Sequence, residues 1–259
     1  MSNNDLLYEV KDNIAYFIIN REEKRNALNA NIMNSFIDYF DKAEKDNEIR
    51  VVCITGAGDK AFCSGADLAS GSSSPLDKGV DGPNTFVTLM KKMSKFPKPI
   101  VGKINGFCLA GGTGLMLSCD IVVAHEEVKF GTPEVNVGLF PMMIGVLILR
   151  DVRRKKAMQM VLSGEKLSAA EAERIGLISE VVSKEKFEGR VNEILKNLAK
   201  RSPIGIKLGK EAFNNISTMN FEDSLKHLGE ALVKVTTTDD AKEGITAFFE
   251  KREPKFTGK

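Results

Sequence analysis

Two features in the middle of the sequence have the residue types to carry out chemistry together. The first is the glycine-rich segment A-G-G-T-G at residues 110–114, which runs directly into an apolar stretch at residues 115–117. A glycine-rich loop that opens into a helix leaves backbone N–H groups without partners inside that helix. Such groups, reinforced by the helix dipole, favour a negatively charged oxygen. The segment therefore predicts a site for an oxyanion.

The second feature is Glu134, which follows Pro133 and precedes the apolar residues Val135 and Val137. Apolar surroundings remove water from a carboxylate and move its pKa towards neutrality. A carboxyl group with such a pKa is suited to take up and return protons near neutral pH. The alternative interpretation is a glutamate at the start of a helix that pairs with a cation such as Lys129.

Both features lie in a chain of alternating strands and helices. Short apolar runs bounded by turn residues predict strands. The predicted strands are residues 7–10, 14–19, 51–55, 100–104, 121–124, 128–130 and 178–182. After about residue 182 the chain reads as helical only. This change predicts an α/β body over residues 1–200 and a helical C-terminal region over residues 201–259.

Capping residues mark where several helices begin. Helices are also predicted over residues 142–150 and 155–162. The candidate N-caps are Asn29 or Asn31, Ser168 in a capping box with Glu171, Ser202 before Pro203, Asn220, and Thr238. Periodicity alone does not distinguish a doubly wound sheet from other arrangements of these elements.

Composition excludes several functional classes. With 42% hydrophobic and 28% charged residues, the chain is typical of a globular protein, and its net charge of +2 gives no field for nucleic acid. No apolar run approaches the roughly 20 residues that cross a bilayer. The first residues lack the pattern of an export signal. We therefore expect a cytoplasmic protein that binds neither nucleic acid nor membrane.

Metal, disulfide and dinucleotide sites are not indicated. The four cysteines are scattered without a C-x-x-C pair, and the two histidines lie far apart. We expect reduced, packed cysteines and no metal ligands. The segment G-A-G-D-K-A at residues 56–61 lacks the third glycine of a dinucleotide-binding loop.

Motifs along the chain occur in a characteristic order and spacing. They are K-R-N-A-L-N at residues 24–29, A-F-C-S-G-A-D-L at 61–68, I-N-G-x-x-x-A-G-G-x-G-L at 104–115, F-G-x-P-E-x-x-x-G-L-x-P at 130–141, and E-G-I-T-A-F-F-E-K-R at 243–252. On these motifs the chain resembles the enoyl-CoA hydratase/isomerase (crotonase) superfamily over nearly its whole length. The resemblance implies the crotonase (ClpP-like) fold, a right-handed spiral of β-β-α turns. It also implies C-terminal helices that build trimers, which often pair into hexamers.

The resemblance implies an acyl-CoA thioester as substrate, with coenzyme A as part of that substrate and no permanently bound cofactor. The thioester oxygen would lie between the backbone N–H groups of Ala66 and Gly111, which stabilise charge that develops on it. Glu134 would transfer the proton. The implied coenzyme A contacts are Lys24, Arg25, Ala27, Leu28, Ala66, Asp67, Leu68 and, often from a neighbouring subunit, Phe248 and Lys251.

An apolar pocket should hold the acyl chain. The residues expected to line it are Gly114, Phe86, Leu89, Phe140, Met142 and Met143. The segment 71–82, rich in Gly, Ser and Asp, is expected to form a surface loop that borders this pocket. Flexible methionines favour a wall that can adapt its shape.

One position departs from the family pattern. Hydratases of the family carry two glutamates that hold one water, whereas this chain keeps Glu134 and has Gly114 at the place of the other. A single carboxylate can still move a proton between two carbons, as in the family's enoyl-CoA isomerases. We therefore expect double-bond isomerisation rather than hydration. The alternatives are a single-glutamate hydratase of fatty-acid or amino-acid degradation, a thioester hydrolase, and a non-catalytic protein that binds coenzyme A esters.

Overall fold

The computed structural model describes residues 5–67 and 84–259. The strands are β1 (Leu6–Lys11), β2 (Ile14–Ile19), β3 (Val51–Gly56), β4 (Ala61–Cys63), β5 (Ile100–Ile104), β6 (Phe107–Leu109), β7 (Ile121–His125), β8 (Lys129–Gly131), β9 (Leu167–Ser168) and β10 (Glu180–Val182). The helices are α1 (Ala30–Lys45), α2 (Thr85–Lys95), α3 (Gly111–Leu117), α4 (Met142–Asp151), α5 (Arg154–Ser163), α6 (Ala169–Arg174), α7 (Lys184–Ala199), α8 (Pro203–Asn215), α9 (Phe221–Thr236) and α10 (Asp239–Glu250).

Two sheets form the body. The larger has the order β1-β2-β3-β5-β7-β10, parallel except for the β1–β2 hairpin, and the smaller has the order β4-β6-β8-β9. Between residues 51 and 151, strands of the larger and smaller sheet alternate, and a helix follows each pair: β3-β4-α2, β5-β6-α3 and β7-β8-α4. This repeated β-β-α unit confirms the fold class that the motifs predicted.

The larger sheet has a hydrophobic core on each face, because side chains of a strand point alternately to opposite sides. On one face, Phe17 of β2 packs against Phe36 and Phe40 of α1, with ring centroids 6.2 and 5.1 Å apart. On the other face, Cys53 of β3 belongs to a second cluster with Phe187 of α7. Aromatic side chains thus form part of the core on the first face.

Local signals placed most element boundaries correctly. The β1–β2 turn has Asp12 and Asn13 at φ values of 53° and 63°, the backbone of a tight hairpin turn. Of the two candidate caps for α1, the side chain of Asn29 accepts from the Ile32 N–H at 2.8 Å. The other confirmed N-caps are Ser168, Ser202, Asn220 and Thr238.

Four short strands differ from prediction. Strands β4, β6 and β9 were not predicted, because two or three residues are too few to show a period and their pairing partners are distant segments. The strand predicted over residues 178–182 begins only at Glu180. Ser179 precedes it and exchanges hydrogen bonds with Val122 through its N–H and its hydroxyl, both at 3.0 Å, outside the regular ladder.

The glycine-rich segment opens into a helix, as the sequence pattern predicted. Helix α3 starts at Gly111, so that the glycines themselves form its first turn. Ala110 is the N-cap, with φ 50° and ψ −126°. Gly112 can have no side chain, because a Cβ there would lie 2.4 Å from the carbonyl oxygen of Cys63. The segment is therefore held tightly against the end of β4.

The C-terminal helices α8, α9 and α10 carry large apolar side chains that this chain does not cover. In α9 the exposed fractions of Phe221, Leu225 and Leu232 are 77%, 57% and 62%. Phe248 of α10 is 79% exposed. Within the part of the chain that the structure describes, no helix is both long and apolar enough to span a bilayer. The division of the chain at residue 200 stays a prediction.

Candidate active site

A cavity of about 550 Å³ opens between the residues that follow β4, β6 and β8, helix α2, and the segment that leads into α4. The described residues that line it are Leu28, Met33, Ser64, Ala66, Phe86, Ala110, Gly111, Pro133, Glu134, Asn136, Val137, Leu139, Phe140, Pro141, Met142, Met143 and Ile144. The cavity therefore brings together Ala66, Gly111 and Glu134, which are far apart in the sequence.

The backbone of Gly111 lies directly beside that of Gly65. A Cβ on Gly65, whose φ is 103°, would lie 3.2 Å from the Gly111 nitrogen and 2.8 Å from the Ala110 Cβ. Gly111 is also the first residue of α3, so its N–H has no partner inside the helix. The close approach depends on glycine at position 65, where a side chain would be both strained and obstructed.

Ala66 is oriented by an isolated parallel bridge to Leu28. The Leu28 N–H donates to the Gly65 carbonyl at 2.7 Å, and the Asp67 N–H donates to the Leu28 carbonyl at 2.8 Å. Because these neighbouring groups face Leu28, the Ala66 N–H points to the opposite side. A Cβ built on Gly111 would lie 3.6 Å from the Ala66 nitrogen. The two N–H groups thus lie close to each other at one cavity wall, as an oxyanion site requires.

A buried ion pair supports this wall from behind. The Arg21 guanidinium donates through Nη2 to Asp67 Oδ2 at 2.9 Å and through Nη1 to the Ala27 carbonyl at 2.8 Å. Arg21 and Asp67 are only 7% and 6% exposed. The fully buried Asn26 side chain accepts from the Arg21 N–H at 3.0 Å and donates to the Ala61 carbonyl at 2.6 Å. Residues 21–28 are therefore fastened to the segment that carries Ala66.

Glu134 lies in a short 3₁₀ helix, Pro133–Val137, that ends at Gly138 with φ 77°. Its carboxyl oxygen Oε2 is buried and has no hydrogen-bond partner among residues 5–67 and 84–259. Loss of water at this position raises the pKa of Glu134, against a smaller opposing effect of its own backbone N–H. Among the described residues that line the cavity, Glu134 alone has a titratable side chain. The arrangement can therefore hold or move one proton.

Gly114, where the family hydratases carry a glutamate, is buried in the first turns of α3. A Cβ at this position would lie 2.3 Å from Cγ2 of Ile144 and 3.0 Å from Cζ of Phe86. The space next to Gly114 is therefore occupied by hydrocarbon.

The predicted acyl-pocket residues divide into two groups. Phe86, Phe140, Met142 and Met143 line the cavity. Leu89 and Gly114 do not line it, and Leu89 instead lies fully buried in the main core.

The predicted coenzyme A contacts also divide. Leu28 and Ala66 line the cavity. Ala27 precedes Leu28 in the sequence and is buried without lining the cavity, and the Asp67 carboxylate accepts a hydrogen bond from Arg21. The remaining predicted contacts Lys24, Arg25, Phe248 and Lys251 are exposed and do not line the cavity. Leu68 and the segment 71–82 lie outside the described residues.

Sequence reasoning missed several lining residues, among them Met33, Ser64, Asn136 and Ile144. Met33 is a buried residue of α1. Ile144 directly follows the predicted pair Met142 and Met143, which is the one signal that could have pointed to it. Among residues 5–67 and 84–259, no group of three or more His, Cys, Asp or Glu side chains could hold a metal ion.

Comparison with known proteins agrees with the motifs. A family described as "Enoyl-CoA hydratase/isomerase" matches residues 9–259. The chain is 34% identical to a putative enoyl-CoA hydratase of Thermus thermophilus, over 95% of this chain and 98% of that protein. It is 32% identical to a short-chain-enoyl-CoA hydratase of Clostridium acetobutylicum, over 97% of each.

A solved structure agrees as well. The crystal structure of an enoyl-CoA hydratase from Bacillus anthracis superimposes with a TM-score of 0.91 at 30% identity, over 99% of this chain and 100% of that one. The match of sequence and of fold has one explanation: the chain belongs to the enoyl-CoA hydratase/isomerase family, with the crotonase fold, and is an enzyme of that family that acts on acyl-CoA.

Proposed function

We propose that this chain transfers a proton on an enoyl-CoA thioester with the single carboxylate of Glu134, and that it favours double-bond isomerisation over hydration. The observation that carries this proposal is that Glu134 supplies one carboxylate, whereas Gly114 has no side chain to supply a second. Of the described residues around the cavity, no second titratable group accompanies Glu134.

Isomerisation would need one base and one oxyanion site. The thioester oxygen accepts from the N–H groups of Ala66 and Gly111, which line the same cavity as Glu134. The Glu134 carboxylate removes a proton from C2 of a 3-enoyl thioester, and the electrons move onto the thioester oxygen as a dienolate. Protonated Glu134 then returns the proton to C4, which leaves the double bond between C2 and C3. Backbone donors already in place stabilise the intermediate charge without reorganisation.

The raised pKa of Glu134 suits both halves of this cycle. A half-buried carboxylate without a hydrogen-bond partner at Oε2 is a stronger base than an exposed one. The same burial favours the protonated form, which returns the proton to a second carbon. Apolar walls from Phe86 and Met143 keep competing water away from that step.

Hydration by a single glutamate is the second candidate, because the relatives in Thermus thermophilus and Clostridium acetobutylicum are named as hydratases. It would require Glu134 alone to activate a water and return a proton. Thioester hydrolysis would require a water held at the carbonyl carbon. A protein that only binds coenzyme A esters would need the oxyanion site without Glu134, and the burial of this carboxylate argues against it.

We further propose that residues 201–259 join copies of this chain into a trimer or hexamer, with coenzyme A bound as part of the substrate. The uncovered apolar side chains Phe221, Leu225, Leu232 and Phe248 support this role. Multi-angle light scattering on the purified chain would measure the number of copies, and a monomer at micromolar concentration would contradict it.

A paired assay tests the proposed reaction. Hydration of crotonyl-CoA and conversion of 3-hexenoyl-CoA to the 2-enoyl isomer are measured on the wild type, on Glu134→Gln, and on Glu9→Gln as an exposed control that does not line the cavity. Isomerisation should exceed hydration and fall by about 10²–10⁴-fold in Glu134→Gln only. Hydration faster than isomerisation would refute the preference. If the wild type catalyses neither hydration nor isomerisation but still binds acyl-CoA, the result would favour a hydrolase or a binding protein.

A further inference from the structure

The contact between Gly114 and Ile144 is too close for any other residue at position 114. A Cβ built on Gly114 would lie 2.3 Å from Cγ2 and 3.2 Å from Cβ of Ile144, and 3.0 Å from Cζ of Phe86. Ile144 and Phe86 are 4% and 6% exposed, and the obstructing Cγ2 methyl of Ile144 is attached directly to its Cβ, so it cannot turn aside as the end of a long side chain could. The position is therefore blocked by packing from a different helix, and not only unused.

Ile144 is poorly able to turn away from Gly114. It belongs to the first turn of α4, and a β-branched residue in a helix has one strongly preferred χ1 rotamer. Its neighbour one turn later, Ile148, is fully buried in the main core and holds the helix in place. The Cγ2 methyl is thus directed at α3 by the backbone of α4 itself.

Ile144 also lines the cavity that contains Glu134. A wall of Ile144 and Phe86 offers no donor or acceptor, and a water beside it would lack the two to four polar partners that hold an ordered water. Addition of water to a double bond requires a held water in addition to a proton donor for the carbon. An apolar wall of this kind prevents a water from being held and does not interfere with proton transfer by Glu134.

The geometry points to Ile144 as the residue that selects the reaction: it fills the space beside Gly114 and keeps a second acid–base group, and the water such a group would hold, out of the cavity. This inference rests on the proposed single-glutamate function. It differs from simple core packing, because packing alone would affect stability and leave the ratio of hydration to isomerisation unchanged.

The first test restores a carboxyl group after removing the obstruction. In Gly114→Glu/Ile144→Ala, hydration of crotonyl-CoA should rise at least about tenfold over the wild type, because two carboxyl groups can then hold one water. The matched control Gly114→Gln/Ile144→Ala has the same shape without the acid and should show no such rise. Gly114→Glu alone should also show none. If Gly114→Glu alone hydrates crotonyl-CoA as fast as the double variant, the inference is overturned. It is also overturned if the double variant folds but hydrates crotonyl-CoA no faster than the wild type.

A second measurement reports on the obstruction even where a glutamate at position 114 prevents folding. Gly114→Ala should lower Tm by roughly 3–10 °C in the wild-type background, because overpacking a core is destabilising. In the Ile144→Ala background the same change should lower Tm by less than half as much. In Ile144→Val, which keeps both methyl branches at Cβ, the full loss should persist. An equal loss in all three backgrounds would overturn the inference.

The two tests also separate this inference from the proposed function. If the wild type hydrates crotonyl-CoA faster than it isomerises 3-hexenoyl-CoA, the single-glutamate preference fails, whatever the Tm comparison shows. If isomerisation dominates and the Tm changes are non-additive, but the double variant gains no hydration, Ile144 is only a packing residue. In that case the proposed function stands and the inference about Ile144 falls.

Discussion

The Arg21 guanidinium and the Asp67 carboxylate form a buried ion pair, 2.9 Å between Nη2 and Oδ2, one residue from the proposed oxyanion donor Ala66. Lys24 Nζ lies 3.6 Å from the same oxygen but is half exposed. Arg21 also donates to the Ala27 carbonyl, so that one side chain joins residues 21–28 to the Ala66 segment. Arg21 therefore contributes both to the stability of this region and to the geometry of the proposed site.

Arg21→Ala should be strongly destabilising, because removing one member of a buried pair leaves the other charge without its main partner. We expect a loss of about 3 kcal/mol in the free energy of unfolding, measured as a lower urea midpoint at unchanged slope. The exposed control Arg154→Ala should change it by less than about 0.5 kcal/mol. Equal behaviour of the two variants would show that the pair contributes little.

The raised pKa of Glu134 predicts a pH dependence of activity. The base must be deprotonated, so kcat/KM should rise with pH through the pKa of Glu134 in the free enzyme. Because burial raises that pKa, the acidic limb of the pH profile should lie at higher pH than for an exposed glutamate. An acidic limb at or below the pKa of an exposed glutamate would contradict the assignment.

The ionisation of Glu134 should also affect the free energy of unfolding. The contribution of this residue to stability should fall as pH rises, whereas activity should increase. Between the pKa of Glu134 in the unfolded chain and its higher value in the folded chain, the folded state binds more protons, so this residue's contribution falls as pH rises. Glu134→Gln removes the ionisation. Its free energy of unfolding, relative to the wild type, should therefore increase from acidic to neutral pH. A difference that is independent of pH would show that the pKa is not raised.

Short-range chemistry explains which parts of the fold the sequence predicts well. The caps at Asn29 and Ser168 depend on residues three positions apart, and the pattern contains both partners. The ladder that defines β6 depends on β4 and β8, more than 20 residues away in either direction, and three residues carry no period of their own. Motif resemblance supplied the β-β-α arrangement that local periodicity did not.

The residues of the candidate site also fall into two groups, those that a sequence motif identifies and those that only the packing of helices brings to the site. Ala66, Gly111 and Glu134 each belong to a motif, and the structure places all three around one cavity. Ile144 belongs to no motif, and its contact with Gly114 arises only where α4 packs on α3. Its place directly after Met142 and Met143 is its one sequence signal, and that signal does not reveal the contact with Gly114.

Burial of the thiols predicts their reactivity. Loss of water raises the pKa of Cys53 and of Cys63 to about 12, and burial also raises the pKa of Cys108 and Cys119. Because the thiolate is the reactive form, Ellman's reagent at pH 8 should modify none of the four in the native protein. All four should react in guanidinium chloride. Rapid reaction of any thiol in the native state would contradict the described packing.

Because the backbone at Ala110 is strained, glycine at this position should stabilise the protein, although substitution by glycine usually destabilises a protein. Ala110 has φ 50° and ψ −126°, a conformation that glycine adopts readily and other residues adopt at a cost of about 1–3 kcal/mol. Glycine costs about 0.4–1 kcal/mol through the greater freedom of the unfolded chain. Ala110→Gly should therefore stabilise the protein by about 1 kcal/mol, measured by urea unfolding.

A matched substitution separates this strain from the general effect of glycine. Ala170 is exposed in the first turn of α6, where Ala170→Gly should destabilise the protein by up to about 0.5–1 kcal/mol. Destabilisation by both substitutions would show that Ala110 is not strained. Because Ala110 precedes Gly111, kcat/KM of the stabilised variant should be measured as well. A lower kcat/KM together with higher stability would mean that the strained backbone helps to direct the Gly111 N–H at the substrate oxygen.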